Sequence, residues 1–145
     1  MADLVFKVDA KSETPTRVSA NARQFSIVVD EPPTLGGEDV GANPVEYLLA
    51  SYAGCLNVMA HLVARELSLK LNKLRIQVSG NLNPDKLFGK PSEDRAGFKH
   101  IEVQIFPETD APEELVNQWL EEVESRCPVN DNLSNHTPIS IQIVR

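Results

Sequence analysis

Two side chains in this sequence are soft nucleophiles, Cys55 and Cys127, and they are its only cysteines. A thiol reacts as the thiolate; apolar burial disfavours that form and a nearby cation restores it. A thiolate that attacks a peroxide becomes a sulfenic acid. A second thiol can condense with that acid to a disulfide, which shields the first sulfur from further oxidation. Cys127 can supply the second thiol if the fold brings it to Cys55, which spacing alone does not decide. An external dithiol would return both sulfurs to thiols by exchange, so the cycle implies no metal, flavin or haem. The cation best suited to it is an arginine, which stays charged when partly buried and can hold a thiolate and a peroxide oxygen together. Arg17 and Arg23 are the nearest upstream candidates. The competing reading for either cysteine alone is core filler, since free Cys is among the most buried residue types.

These residues need elements to position them. Residues 3–10 and 23–30 read as strands, the second with Phe25 and Ile27 alternating against polar neighbours. Glu31-Pro-Pro-Thr-Leu-Gly-Gly37 then breaks regular structure. A helix starts with Asn43 as N-cap, Pro44 in the first helical position and Glu46 two further on. From Tyr47 to Val63 it is apolar or small on nearly every face, as in a helix surrounded by protein. Cys55 lies in that stretch beside Gly54, whose missing side chain allows a close approach. Leu74, Ile76 and Val78, then Ile101, Val103 and Ile105, alternate with polar residues as two half-buried strands, and the loop from Gly80 to Gly97 between them reads as exposed.

A second helix is expected to be capped near Asp110, with Leu115, Val116, Trp119, Leu120 and Val123 forming its apolar stripe. Cys127-Pro128 ends it and starts a short turn through Leu133, which puts Cys127 at an exposed corner near free backbone N–H groups. Pro138–Arg145 alternates cleanly as a last strand. The class is therefore α+β: an antiparallel β-sheet packed on a long buried central helix, with a second amphipathic helix, in one domain spanning 1–145.

With a net charge of −7 the surface is not built to neutralise phosphates, which argues against a nucleic-acid partner. No basic leader with an apolar core opens the chain and no window reaches the run of roughly 20 apolar residues that spans a bilayer, so no membrane association and a cytoplasmic location are the expectations. His61, His100 and His136 lie on three different elements without metal-ligand spacing, and a Cys127/His136 hydrolase dyad lacks any local cysteine-protease signature.

Leu35-Gly-Gly, Asn43-Pro-x-Glu-x-Leu-Leu-Ala-x-x-x-x-Cys55, Cys127-Pro-Val-x-x-x-Leu133 and the closing alternating strand together resemble the OsmC/Ohr superfamily in order and spacing over most of the chain. The resemblance implies an intertwined homodimer with sites at its interface, a peroxidatic Cys55 resolved by Cys127, and organic hydroperoxides as substrates, with hydrogen peroxide a further one. Two departures accompany it. Where the organic hydroperoxide branch has a glutamate directly after the proline, this chain has Val45, with Glu46 one residue later. That branch's peroxide-binding arginine falls at about Thr14, with Arg17 and Arg23 downstream. Glu46 has two readings, catalytic partner or helix cap; nine residues at about 100° each put it on the far side of a straight helix from Cys55. The different-class alternative is a non-catalytic dimer that binds a small apolar molecule.

Overall fold

A computed structural model describes all residues, 1–145. The chain forms two compact units, Met1–Leu48 and Leu49–Arg145.

In the first unit, strands β1 (Asp9–Ser12), β2 (Val18–Ala22) and β3 (Phe25–Val29) form an antiparallel sheet in that order. Ala22 pairs with Phe25, so Arg23 and Gln24 are a two-residue hairpin turn, and Arg23 takes the left-handed conformation (φ 55°) that such turns demand. Two sequence expectations change here. The first strand covers Asp9–Ser12 rather than 3–10, and Leu4, Val5, Phe6 and Val8 are exposed without a strand partner. Val18–Ala22 is a strand that its small, weakly alternating side chains did not announce.

After β3 the chain folds around Asp30, the one charged residue that is fully buried. Its carboxylate accepts the N–H groups of Glu31 (2.8 Å), Glu38 (3.3 Å) and Val40 (3.3 Å). Burial acts to raise its pKa, but the hydrogen bonds from Glu31, Thr16, Val40 and Glu38 together outweigh it and hold the carboxyl below its ordinary value. The Leu35-Gly-Gly run serves this loop: Gly36 has φ 88°, and a Cβ on Gly37 would fall 1.9 Å from the Glu31 carbonyl oxygen.

Helix α1 (Pro44–Glu66) begins with a full capping box. Asn43 Oδ1 accepts the Glu46 N–H and Glu46 Oε1 accepts the Asn43 N–H, both at 2.8 Å. In the second unit it carries most of the core, burying Tyr52, Leu56, Met59, Ala60, Val63 and Ala64. The expectation of a helix covered on every side is not met within one chain: Gly54 faces open space and Val58 is 63% exposed. By length and composition α1 could also cross a bilayer, with a mean hydropathy of 1.4, contrary to the expectation that no stretch would. Its buried face instead packs in one cluster with Trp119 and Val123.

Strands β4 (Lys73–Asn81) and β5 (His100–Glu108) pair antiparallel, with Ile76 opposite Ile105 and Val78 opposite Val103. Because these pairs share a face, they pack against the α1 core as a block. The connection between them is tied internally: Asn83 Nδ2 donates to Asp94 Oδ2 (3.0 Å), which also pairs with Lys99 (3.3 Å). Helix α2 spans Glu113–Arg126 and α3 Pro128–Ser134. Asp110 does not cap α2; Pro112 holds that position in an extended conformation, and no side chain caps it. Residues 138–145 form no strand, and Ile139, Ile141 and Ile143 are 81%, 91% and 84% exposed. An alternating pattern records which side chains need cover, and within one chain this segment finds none.

Candidate active site

Cys55 lies in α1 and is partly accessible, whereas Cys127 is 1% exposed at the corner between α2 and α3. The corner forms because proline cannot continue α2: Cys127 turns extended (φ −80°, ψ 112°) and Pro128 starts α3. Cys127 thus terminates one helix and caps the next, its sulfur accepting the Asn130 N–H at 3.5 Å. The sequence expectation of an exposed corner thiol is reversed, since the turn directs the side chain into the core.

The two sulfurs, 72 positions apart in sequence, are 2.8 Å from each other, with the Cys127 thiol donating to Cys55. Both are free thiols, and a disulfide at about 2.05 Å needs an approach of under an ångström. Burial, followed by the hydrogen bond to Cys55, pushes the Cys127 pKa up, against a smaller opposing effect of the Asn130 N–H. Cys127 is therefore held in its neutral, hydrogen-donating form.

Tyr52, one turn before Cys55, is 8% exposed and its hydroxyl donates to Asn130 Oδ1. Burial, then the proximity of Cys127, Glu124 and Cys55, raises its pKa, so the phenol keeps its proton and remains a donor. Tyr52, Leu56, Val103, Ile105, Leu120 and Glu124 line a cavity of about 180 Å³ to which neither cysteine contributes. Tyr52 and Met59 are both buried core, and Tyr52 also lines the cavity.

The other three candidate residues belong to the first unit, each with partners of its own. Arg17 pairs with Glu13 (3.5 Å) and Glu38 (3.9 Å). Arg23 sits over the Phe25 ring at 5.0 Å. Glu46 is engaged in the capping box.

The family model for OsmC-like proteins matches residues 36–142, a span that takes in the Gly-Gly loop, Cys55 and the Cys127 corner. The chain belongs to this family. Among curated proteins, the hydroperoxide reductases of Mycoplasma genitalium and Mycoplasma pneumoniae are each 23% identical over 141 residues, covering 97% of this chain and 95% of theirs. Among solved structures, an OsmC-like protein from Mycoplasma pneumoniae superposes with a TM-score of 0.80 at 23% identity, covering 93% of this chain and 91% of that one. An organic hydroperoxide resistance protein from Elizabethkingia anophelis gives 0.72 at 16% identity, with the same coverage of 93% and 91%. These likenesses establish the OsmC-like fold. The residue of this OsmC-like chain that sequence reading passed over is Asn130. The one available signal was its place three residues after Cys127, where a helix N-cap meets the N–H it accepts.

Proposed function

We propose that this protein is a two-cysteine peroxidase that reduces organic hydroperoxides, and hydrogen peroxide with them. The observation that carries the reading is the thiol pair: two sulfurs 2.8 Å apart, the helical one partly accessible and its partner buried. The Cys55 thiolate attacks the distal peroxide oxygen and the O–O bond breaks. Cys55 becomes a sulfenic acid and the alkoxide leaves as the alcohol after taking a proton. Cys127 then attacks the Cys55 sulfur, the S–O bond breaks and water departs as the disulfide forms. An external dithiol reduces that disulfide. The names of the two Mycoplasma relatives agree with this chemistry.

For the cation that holds Cys55 as a thiolate we put forward Arg17, with Arg23 as the second choice, since Arg23 is a turn residue stacked on Phe25. For Glu46 we favour the helix cap, because its carboxylate is already engaged by the Asn43 N–H. A homodimer acting as one OsmC-like domain per chain would cover the open side of α1 at Gly54 and Val58 and give strand partners to the apolar residues of both termini. A cycle that ends in two free thiols suits a reducing cytoplasm. The alternative, a binding module without turnover, draws its support from Val45 standing where the hydroperoxide branch has glutamate.

The test is intact mass and free-thiol count after one equivalent of cumene hydroperoxide, with Cys55→Ser and Cys127→Ser alongside. Rapid loss of both thiols and two hydrogens, with a sulfenic acid trapped only in Cys127→Ser, is the expected result. Thiols unchanged over minutes would replace the peroxidase with the binding module.

A further inference from the structure

The Cys127 corner is anchored by the core contacts of Cys127, Val129 and Leu133 and by the Arg126–Glu66 pair at 2.7 Å, but none of these fixes the direction of the Cys127 sulfur. α3 is seven residues long, well below the length at which an isolated helix is stable, and the peptide at Cys127 belongs to neither helix. Even so, the Cys127 sulfur lies against Cys55 on a different element. Asn130 supplies three ties at this point. Its backbone N–H reaches Cys127 Sγ at 3.5 Å, its side-chain Nδ2 donates to the Glu124 carbonyl at 3.1 Å, and its Oδ1 accepts the Tyr52 hydroxyl. The second tie satisfies a carbonyl in the last turn of α2, one of the acceptors a helix end leaves unpaired. The third reaches α1 one turn before Cys55. Asn130 therefore links the three helices whose positions fix the distance between the sulfurs.

We infer that Tyr52 and Asn130 form a latch that positions Cys127 for the resolving step, setting how fast a Cys55 sulfenic acid closes to the disulfide and so how well Cys55 resists over-oxidation. The proposal rests on the peroxidase reading and adds to it two positioning residues that act through Cys127. In the step concerned, Cys55–SOH and Cys127–SH become Cys55–S–S–Cys127 and water: the S–S bond forms, the S–O bond breaks, and the Cys127 proton leaves with the hydroxide. The phenol's raised pKa is consistent with a donor that persists through this exchange.

Tyr52→Phe removes one hydroxyl and keeps the ring that packs in the core; Asn130→Ala removes both side-chain ties and keeps the N–H to sulfur. Rapid-quench mass spectrometry with cumene hydroperoxide separates the first phase, which depends on peroxide concentration, from disulfide closure, which does not. Expected is a first phase within twofold of wild type, a closure slowed roughly three- to tenfold in Tyr52→Phe, as one hydrogen bond's net worth dictates, and by more in Asn130→Ala, which loses two, with sulfinic acid accumulating on Cys55 at high peroxide. Closure at the wild-type rate in Tyr52→Phe, or both phases slowed alike, would overturn the latch. Closure of the reduced pair by oxidised dithiothreitol uses no peroxide. If wild type ignores cumene hydroperoxide, the peroxidase reading falls, while slower closure of Tyr52→Phe than of wild type in oxidised dithiothreitol still supports the latch and equal or faster closure still refutes it.

Discussion

Trp119 joins α2 to α1, and its replacement by phenylalanine has a cost that follows from its surroundings. The side chain is 2% exposed and packs in one cluster with Leu56, Val63 and Val123, while its indole N–H donates to the Ala60 carbonyl at 2.8 Å. Losing that bond costs about 1 kcal/mol net, because water takes the N–H in the unfolded chain. The smaller ring leaves a void of roughly 40 Å³, which at about 24 cal/mol per Å³ adds close to 1 kcal/mol. The expected loss is therefore about 2 kcal/mol, a sizeable part of the ~5–15 kcal/mol that holds an ordinary domain. It is measured by urea unfolding of the reduced protein at a fixed concentration, followed by circular dichroism because the substitution removes the only tryptophan. The denaturant slope should not change. A loss under about 0.5 kcal/mol would refute the reasoning, since it would mean that the core closes over the gap and the N–H contributes nothing.

Gly37→Ala should destabilise the first unit far more than Gly36→Ala: the new Cβ meets the Glu31 carbonyl oxygen at 1.9 Å in the first case and open space in the second, where only the φ of 88° costs about 1 kcal/mol; thermal melts of the pair check the order. Reduced protein should lose stability as pH rises through the ordinary thiol range, because a group whose pKa is raised on folding stabilises fully below its unfolded value and less as pH climbs towards its folded one. Cys127→Ser should flatten that slope in urea titrations between pH 8 and pH 10, and an unchanged slope would remove Cys127 as its source. Val58→Lys should shift the protein to monomer in sedimentation velocity if a second copy covers α1, and an unaltered sedimentation coefficient would exclude that face from any dimer.

The parts of this fold that sequence reading anticipated are those whose physics is local. Asn43, Pro44 and Glu46 announce the start of α1 because a capping box is complete within four residues. β4 and β5 are legible because strict alternation puts Ile76, Val78, Val103 and Ile105 on one face, whatever that face packs against. Local rules also misled at Asp110, where a suitable cap lies three residues ahead of the helix and Pro112 sets its start instead. β2 went unseen because Ser19, Ala20 and Asn21 carry little hydrophobic contrast, and its pairing with β1 and β3 on both sides makes the strand. The two apolar termini present the reverse case, a strand pattern without a strand, since pairing needs a second segment alongside and neither terminus has one.

The same division runs through the site. Pro128 fixes where the chain must turn, so the corner at Cys127 was readable, yet the side on which the sulfur emerges depends on ψ of 112° at one residue and on where α1 lies. No pattern in the sequence encodes that angle. Cys127 is the thiol that burial keeps protonated, although it is the one beside a proline at a chain turn. Asn130 could not be singled out by type or spacing alone, since an asparagine in a short helix is ordinary on any surface. Its significance comes from three hydrogen bonds to residues 3, 6 and 78 positions away, and the most distant of them reaches the helix that carries Cys55. A thiol pair can thus be nominated from sequence, while the groups that hold the pair at reacting distance become visible only once the helices are packed.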